Sequence, residues 1–143
     1  GANVEMAQAV GNENIFIFGL KSNEVDDIWR AGYSSSKYYN DSPKLRRIVE
    51  ALIIGFNGQS FSDMANYLLT GSPVADPYMC MADFISYNRT QHKISELYVK
   101  DKAKWNKMSL NNIAASGFFA ADRSIKEYAE NIWNLKPQGK NDK

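Results

Sequence analysis

The chain has 143 residues, of which 44% are hydrophobic, and its 17 Lys and Arg nearly balance 16 Asp and Glu. This composition argues for a folded core and against an intrinsically disordered chain. The net charge of +1 argues against a nucleic-acid-binding domain. The densest basic group, Lys44, Arg46 and Arg47, falls on the polar side of a predicted helix and indicates a solvated face.

The cysteine count and the hydropathy of the chain indicate the kind of compartment in which the protein occurs. Cys80 is the single cysteine, so an internal disulfide is excluded and a reducing compartment is predicted. No apolar run approaches the roughly 18 residues of a membrane helix, and from residue 1 onwards we expect no signal peptide. Because the chain begins with Gly1 rather than Met, we expect a fragment or a processed product.

The first predicted elements are a short helix over residues 2–10, ended by Gly11, and a strand over residues 15–18. The strand is predicted from the continuous run IFIF, which is typical of a strand buried on both faces. A single strand cannot satisfy its own backbone groups. We therefore expect its partner strands outside this chain or in a second copy.

Helix start signals place the next elements. Ser22 or Asn23 is predicted to cap a helix that Gly32 closes, and Ser42 followed by Pro43 starts another. Ser60 and Asp63 form an acidic capping box for a third. The apolar positions of the last two recur with helical spacing: Leu45, Ile48, Val49, Leu52 and Ile53, then Phe61, Met64, Ala65, Leu68 and Leu69.

Further helices are predicted towards the end of the chain. Residues 78–81 are predicted to be extended, and Asp83 to cap a longer helix. Asp101 begins the next helix, which ends at Ser116 and Gly117. Its predicted apolar side consists of Trp105, Met108, Leu110, Ile113 and Ala114.

The last predicted helix has the clearest apolar face. Asp122 or Ser124 is its cap, and Ser124 with Glu127 matches a capping box. The face consists of Ile125, Tyr128, Ala129, Ile132 and Trp133, at helical spacings. A face of this kind requires a partner surface.

The residue types that could carry chemistry have simpler structural explanations. His92 lies among polar neighbours and is predicted to be an exposed helix histidine. Cys80 lies between two methionines and is predicted to be a buried, inert thiol. Asn88 fits a glycosylation acceptor by chance. An exposed ring among Tyr33, Tyr38 and Tyr39 is the remaining candidate, as a stacking surface for a sugar ring.

Five stretches carry a resemblance to a known family. They are GANVEM at residues 1–6, IFIFG at 15–19, NNIAASG at 111–117, DRSIKEYA at 122–129 and IW at 132–133. Together they resemble, in the same order, the C-terminal part of the α-glucan (glycogen or starch) phosphorylases. The segments at 54–77 and 78–81 depart from the family pattern.

The resemblance implies an α/β fold. The chain would be the helix-rich C-terminal part of a Rossmann-like domain of the B-type glycosyltransferase fold, with one or two strands. Residues 1–121 would belong to that catalytic domain, and residues 122–136 would form a helix crossing back to an absent N-terminal domain. Residues 137–143 would be a flexible tail. The helix at residue 2 would open near the cleft, where the amides around Asn3 would favour an anion.

The resemblance also implies an activity. The family is a glycosyltransferase that phosphorolyses terminal α-1,4-linked glucose to glucose 1-phosphate, using pyridoxal phosphate on a lysine. That lysine lies in a Gly-Thr-Gly-Asn-Met-Lys motif upstream of the stretch matching residues 1–5. We therefore assign this chain no catalytic, cofactor-binding or metal residue and expect it to be inactive alone, with no cofactor bound.

The expected partners of the full-length enzyme are α-glucan, inorganic phosphate and the rest of the phosphorylase chain. The resemblance implies an allosteric, cytoplasmic homodimer that binds neither nucleic acid nor membrane. The alternative is a non-catalytic helical interaction module that binds glucan or protein.

Overall fold

The computed structural model describes residues 2–136, and the predicted tail at 137–143 lies outside them. Eight α-helices and two 3₁₀ helices occur within that range. The α-helices are α1 Ala2–Val10, α2 Ser22–Arg30, α3 Ser35–Asp41, α4 Pro43–Ile54, α5 Ser62–Leu69, α6 Cys80–Lys100, α7 Lys102–Ala115 and α8 Ala121–Asn131. The 3₁₀ helices are Asn12–Asn14 and Ser116–Phe119.

The predicted strand at residues 15–18 is wrong for this structure. Ile15 has an extended backbone, with φ −133° and ψ 147°, but no strand forms anywhere in residues 2–136. A strand is defined by ladder hydrogen bonds to a neighbour, and here no neighbouring strand is available. The described part of the chain is helix-rich, without the one or two strands that the α/β class predicted.

The chain divides into two compact units. One contains residues 2–16 and 95–136 of the described range, and the other is Ile17–Ile94. The second unit has the clearer core, formed by Leu45 and Val49 of α4, Ala65 of α5 and Met81 of α6. The predicted apolar sides of α4 and α5 are only partly buried, because Ile48, Ile53 and Met64 are exposed.

Two predicted helix starts are confirmed. The Ser42 Oγ accepts a hydrogen bond from the Leu45 amide at 3.3 Å, with Pro43 in the first turn. The Asp101 carboxylate accepts one from the Lys104 amide at 2.9 Å. Each bond satisfies a donor that the first turn leaves without a partner.

Both predicted capping boxes are wrong. α5 begins after Phe61 and α8 after Ala120, and neither residue supplies a side-chain cap. The Ser60 hydroxyl instead donates to the Ile53 carbonyl at 3.0 Å, and Glu127 pairs with Arg123. At α2, the predicted cap at Ser22 or Asn23 is wrong, because the helix begins at Ser22 and Lys21 precedes it. The Glu24 carboxylate accepts a hydrogen bond from the Lys21 amide at 2.7 Å.

The start of α6 also differs from the prediction. Residues 78–81 are not extended, because Met79 has a φ of 55° and the helix begins at Cys80. Asp83 lies inside the helix, where its carboxylate accepts a hydrogen bond from the Leu20 amide at 2.8 Å. The capping carboxylate is that of Asp76, which precedes the helix.

α7 does not have the single apolar side predicted for it. Met108 is buried and Trp105 is half-buried, but Leu110 and Ile113 are 65% and 64% exposed. Residues 105 and 110 fall on nearly opposite sides of a 3.6-residue helix. α7 packs against α1 and both 3₁₀ helices, while Leu110 and Ile113 lie on a side that is open.

Candidate functional site

A buried carboxylate is the most elaborate polar site in the second unit. Asp76 is 0% exposed, and its Oδ2 accepts hydrogen bonds from the Tyr33 hydroxyl at 2.6 Å and the Met81 amide at 2.8 Å. Its Oδ1 accepts from the Cys80 amide at 2.9 Å. A carboxylate with three donors is well satisfied, so this site can position α6 but offers no free base.

The groups around Asp76 titrate above their usual ranges. Burial raises the pKa of the Tyr33 hydroxyl well above its ordinary value, and the hydrogen bond to Asp76 adds to the shift. Partial desolvation raises the pKa of the Cys80 thiol, with the Asp76 carboxylate as the next cause. A thiol with a raised pKa carries less of the nucleophilic thiolate.

His92, Cys80 and Asn88 are the residues for which the sequence indicates no chemical role. His92 is exposed on α6, as predicted. Cys80 is not buried: the residue is exposed at the first position of α6, because the helix begins there instead of an extended apolar run. Asn88 lies within α6.

The tyrosines considered for glucan stacking are engaged within the second unit. Tyr33, Tyr38 and Tyr39 are all half-buried. Tyr33 packs edge-on against Trp29, with ring centroids 5.2 Å apart, and lies 5.7 Å from Tyr38. Tyr38 and Tyr39 pack against the core. These contacts and the partial burial of the three rings disfavour stacking on a sugar.

An amide network organises the first unit. Asn14 is buried, and its Nδ2 donates to the Val10 carbonyl at 2.7 Å. The Asn111 Nδ2 donates to the Asn14 Oδ1 at 3.0 Å, and the Asn112 Nδ2 to the Asn14 carbonyl at 2.9 Å. These amides join the 3₁₀ helix to α7, and sequence patterns gave no signal for them because the pairs are 97 and 98 residues apart.

A shallow groove of about 360 Å³ lies beside this network. Ile15, Phe16 and Trp105 form its apolar wall, and Asn112 lies on its polar side. The Asn112 amide already donates to two carbonyls, those of Asn14 and Met108. The groove thus offers mainly apolar contact.

The cofactor implied by the resemblance does not fit the described residues. A Schiff-base lysine needs an enclosed, desolvated site, yet every lysine in the described range is exposed. In the same range, no cluster of His, Cys, Asp or Glu could hold a metal ion. Nor does any helix there have the length and apolar character to cross a membrane.

The apolar face of α8 is uncovered. The helix expected over residues 122–136 is shorter, because α8 ends at Asn131. Ile125 and Tyr128 of α8, with Ile132 and Trp133 just after it, are each at least half exposed, and these four side chains are called the α8 face. Arg123 anchors the start of the helix, since its Nε donates to the Phe118 carbonyl and its guanidinium lies 4.1 Å from the Phe118 ring centroid. α8 is thereby held at its first turn while its apolar face remains open.

Comparison with known proteins identifies the family. The family model described as carbohydrate phosphorylase matches residues 1–135. The chain is 42% identical to the liver form of human glycogen phosphorylase and 40% identical to the rat muscle form. Each alignment covers 96% of this chain and 16% of the relative, so the chain spans about one sixth of the length of these relatives. The chain therefore belongs to the carbohydrate phosphorylase family.

Proposed function

We propose that this chain is a portion of a glycogen phosphorylase. The whole protein would release terminal α-1,4-linked glucose from glycogen or starch, with inorganic phosphate as acceptor and glucose 1-phosphate as product. The observation that carries this proposal is the 42% identity to human liver glycogen phosphorylase over 137 residues. Identity over nearly the whole chain supports a common role better than a short shared motif would.

The chemistry would be carried by other parts of that protein. The described residues contain no metal-binding cluster and no enclosed lysine. Pyridoxal phosphate would be held by a lysine outside them and would supply the acid–base chemistry of phosphorolysis. This portion would contribute packing surfaces, and alone it would be inactive.

Residues 15–18 support a Rossmann-like arrangement in the whole protein. None of the described backbone hydrogen bonds uses an N–H or C=O group of these residues. An apolar segment that begins with extended backbone at Ile15 and makes none of these bonds is a template for strand pairing. Residues 1–121 would accordingly complete a Rossmann-like domain whose other strands lie elsewhere in the protein.

The rest of the phosphorylase chain would cover α8. Residues 122–136 would form the segment that crosses to the N-terminal domain. The exposed Ile125, Tyr128, Ile132 and Trp133 support this role, because burying such side chains is worth roughly 1.5–3 kcal/mol each. The whole enzyme would be an allosteric, cytoplasmic homodimer.

An assay of the protein that contains this chain tests the proposal. The native protein, incubated with glycogen and phosphate, should release glucose 1-phosphate, and its intact mass should show a pyridoxal adduct on a lysine outside residues 1–143. The isolated chain is the matched control and should release none. A native protein with neither product nor adduct would refute the proposal.

The second candidate is a non-catalytic interaction module. The uncovered face of α8 favours a protein partner for such a module, whereas the half-buried Tyr33, Tyr38 and Tyr39 disfavour glucan. Co-sedimentation of the chain with glycogen would support a module that binds glucan. If the chain does not co-sediment with glycogen but is captured by a defined protein, a module that binds protein is supported.

A further inference from the structure

Asp76 joins segments that are distant in the chain. Beyond the three bonds to its carboxylate, its backbone amide donates to the Tyr67 carbonyl at 3.1 Å, and its carbonyl accepts from the Met79 amide at 2.9 Å. The residue therefore contacts Tyr33 after α2, the end of α5, and the first turn of α6. A buried charge of this kind depends on all of its partners, because losing one leaves an uncompensated group.

The turn that carries Asp76 is conformationally strained. Asp76 has a φ of 48° and Met79 a φ of 55°, both in the left-handed region that side chains seldom occupy. Such backbone persists only where the surroundings hold it. Tyr78, between them, is 79% exposed, whereas the Met79 side chain is 2% exposed, so opening of this segment would also expose Met79.

We propose that Asp76 is a conformational latch, whose carboxylate holds residues 76–80 closed against Tyr33 and whose release lets this segment open while the rest of the unit stays folded. This inference concerns the fold of the second unit and does not rest on the proposed function.

The structure sets the limits of the opening. Met81 is 2% exposed and belongs to the core cluster, so its side chain holds α6 one residue beyond the latch. Further along, the Asp83 carboxylate and the Ser86 hydroxyl accept hydrogen bonds from the Leu20 and Gly19 amides, at 2.8 and 3.1 Å. These contacts do not involve Asp76 and would survive its release.

Cys80 is a built-in reporter of the latch. The residue is exposed, and its amide is one of the three donors to Asp76. When the segment opens, the thiol moves away from the carboxylate that disfavours its ionised form. Opening should therefore speed both amide exchange and thiol alkylation at this position.

Hydrogen exchange in the native protein that contains this chain tests the latch. Peptides spanning residues 76–82 are compared in the wild type and in the Asp76→Asn and Tyr33→Phe variants. We expect exchange at the Cys80 and Met81 amides to be about tenfold faster or more in Asp76→Asn, and several-fold faster in Tyr33→Phe, because hydrogen bonds to a charged group are lost. Peptides of α4 and α5 should keep their wild-type rates.

Tyr39→Phe is the matched control. The Tyr39 hydroxyl donates a 3.4 Å hydrogen bond to Glu50 on the surface, so its removal should leave residues 76–82 unchanged. Iodoacetamide labelling of Cys80, measured by peptide mass spectrometry, should be fastest in Asp76→Asn, slower in Tyr33→Phe, and slowest in the wild type and in Tyr39→Phe. If Asp76→Asn fails to fold, Tyr33→Phe carries the test alone. Unchanged exchange in Tyr33→Phe, or equal acceleration in α4, α5 and residues 76–82, would overturn the latch.

Discussion

Gly19 shows how a single residue connects the apolar segment at residues 15–18 to α6. Its φ is 86°, and a Cβ at this position would lie 2.5 Å from an Asp83 carboxylate oxygen. Its amide donates to the Ser86 hydroxyl, next to the bond from Leu20 to Asp83. Both the backbone conformation and the close approach of Asp83 require glycine.

We therefore expect Gly19→Ala to lower the free energy of unfolding by about 1–2 kcal/mol from backbone strain alone. Urea unfolding followed by circular dichroism measures the change. Gly117→Ala is the control, because Gly117 lacks a positive φ and a Cβ there would meet nothing within 4 Å. Equal stability of the two variants would contradict the conclusion that the backbone at Gly19 requires glycine.

Tyr33 should make stability depend on alkaline pH. Burial, followed by the Asp76 hydrogen bond, raises its pKa in the folded state, so folding favours the neutral phenol. That contribution is fully present below the unfolded pKa of about 10 and is lost as pH rises above it. The wild type should thus lose stability faster than Tyr33→Phe above about pH 10.

Stability measured at several pH values for both proteins tests this. Tyr67 and Cys80 lie nearby and also have a raised pKa, so the difference between the two proteins is the relevant quantity. If the unfolding free energies of the two proteins fall in parallel above pH 10, the pKa of Tyr33 is the same in the folded and unfolded states.

At the scale of elements, the core of the second unit depends on few side chains. Met81 of α6 is 2% exposed among Leu45, Val49 and Ala65, whereas Met64 of α5 is 57% exposed. Truncating a buried methionine leaves a cavity, and truncating an exposed one does not. The two methionines therefore form a matched pair.

Met81→Ala should cost about 2–5 kcal/mol of unfolding free energy. Met64→Ala should fall within about 0.5 kcal/mol of the wild type, as exposed substitutions usually do. The midpoints of denaturant unfolding measure both changes, provided that the slope of the unfolding free energy with denaturant concentration is unchanged. Similar losses in the two variants would mean that α6 does not contribute to this core.

At the scale of the whole molecule, the α8 face should govern association. The isolated chain is expected to bind a hydrophobic dye or to self-associate through Ile125, Tyr128, Ile132 and Trp133. The double substitution Ile125→Ser with Ile132→Ser should reduce dye fluorescence and shift sedimentation towards the monomer. Asn131→Ser, an exposed polar position of the same helix, should change neither.

Local sequence signals predicted some elements well. Ser42 and Pro43 at the start of α4, Asp101 at the start of α7 and Gly11 after α1 act through bonds or dihedral angles within a few residues. The capping boxes at Ser60 and Ser124 failed although the pattern was present. The Ser60 hydroxyl bonds to the Ile53 carbonyl instead, and α8 already begins at Ala121, so Ser124 lies inside the helix.

By itself, the sequence determined the family, the positions of most helices and the apolar face of α8, because motif identity and helical periodicity are properties of neighbouring residues. Only the tertiary structure decided that Asp76 caps α6 and that Asn14 binds Asn111, since these pairings depend on how distant segments pack. It also decided that residues 15–18 have no strand partner within residues 2–136. Apolar character predicts that a segment will be buried, but a strand exists only where another backbone lies beside it.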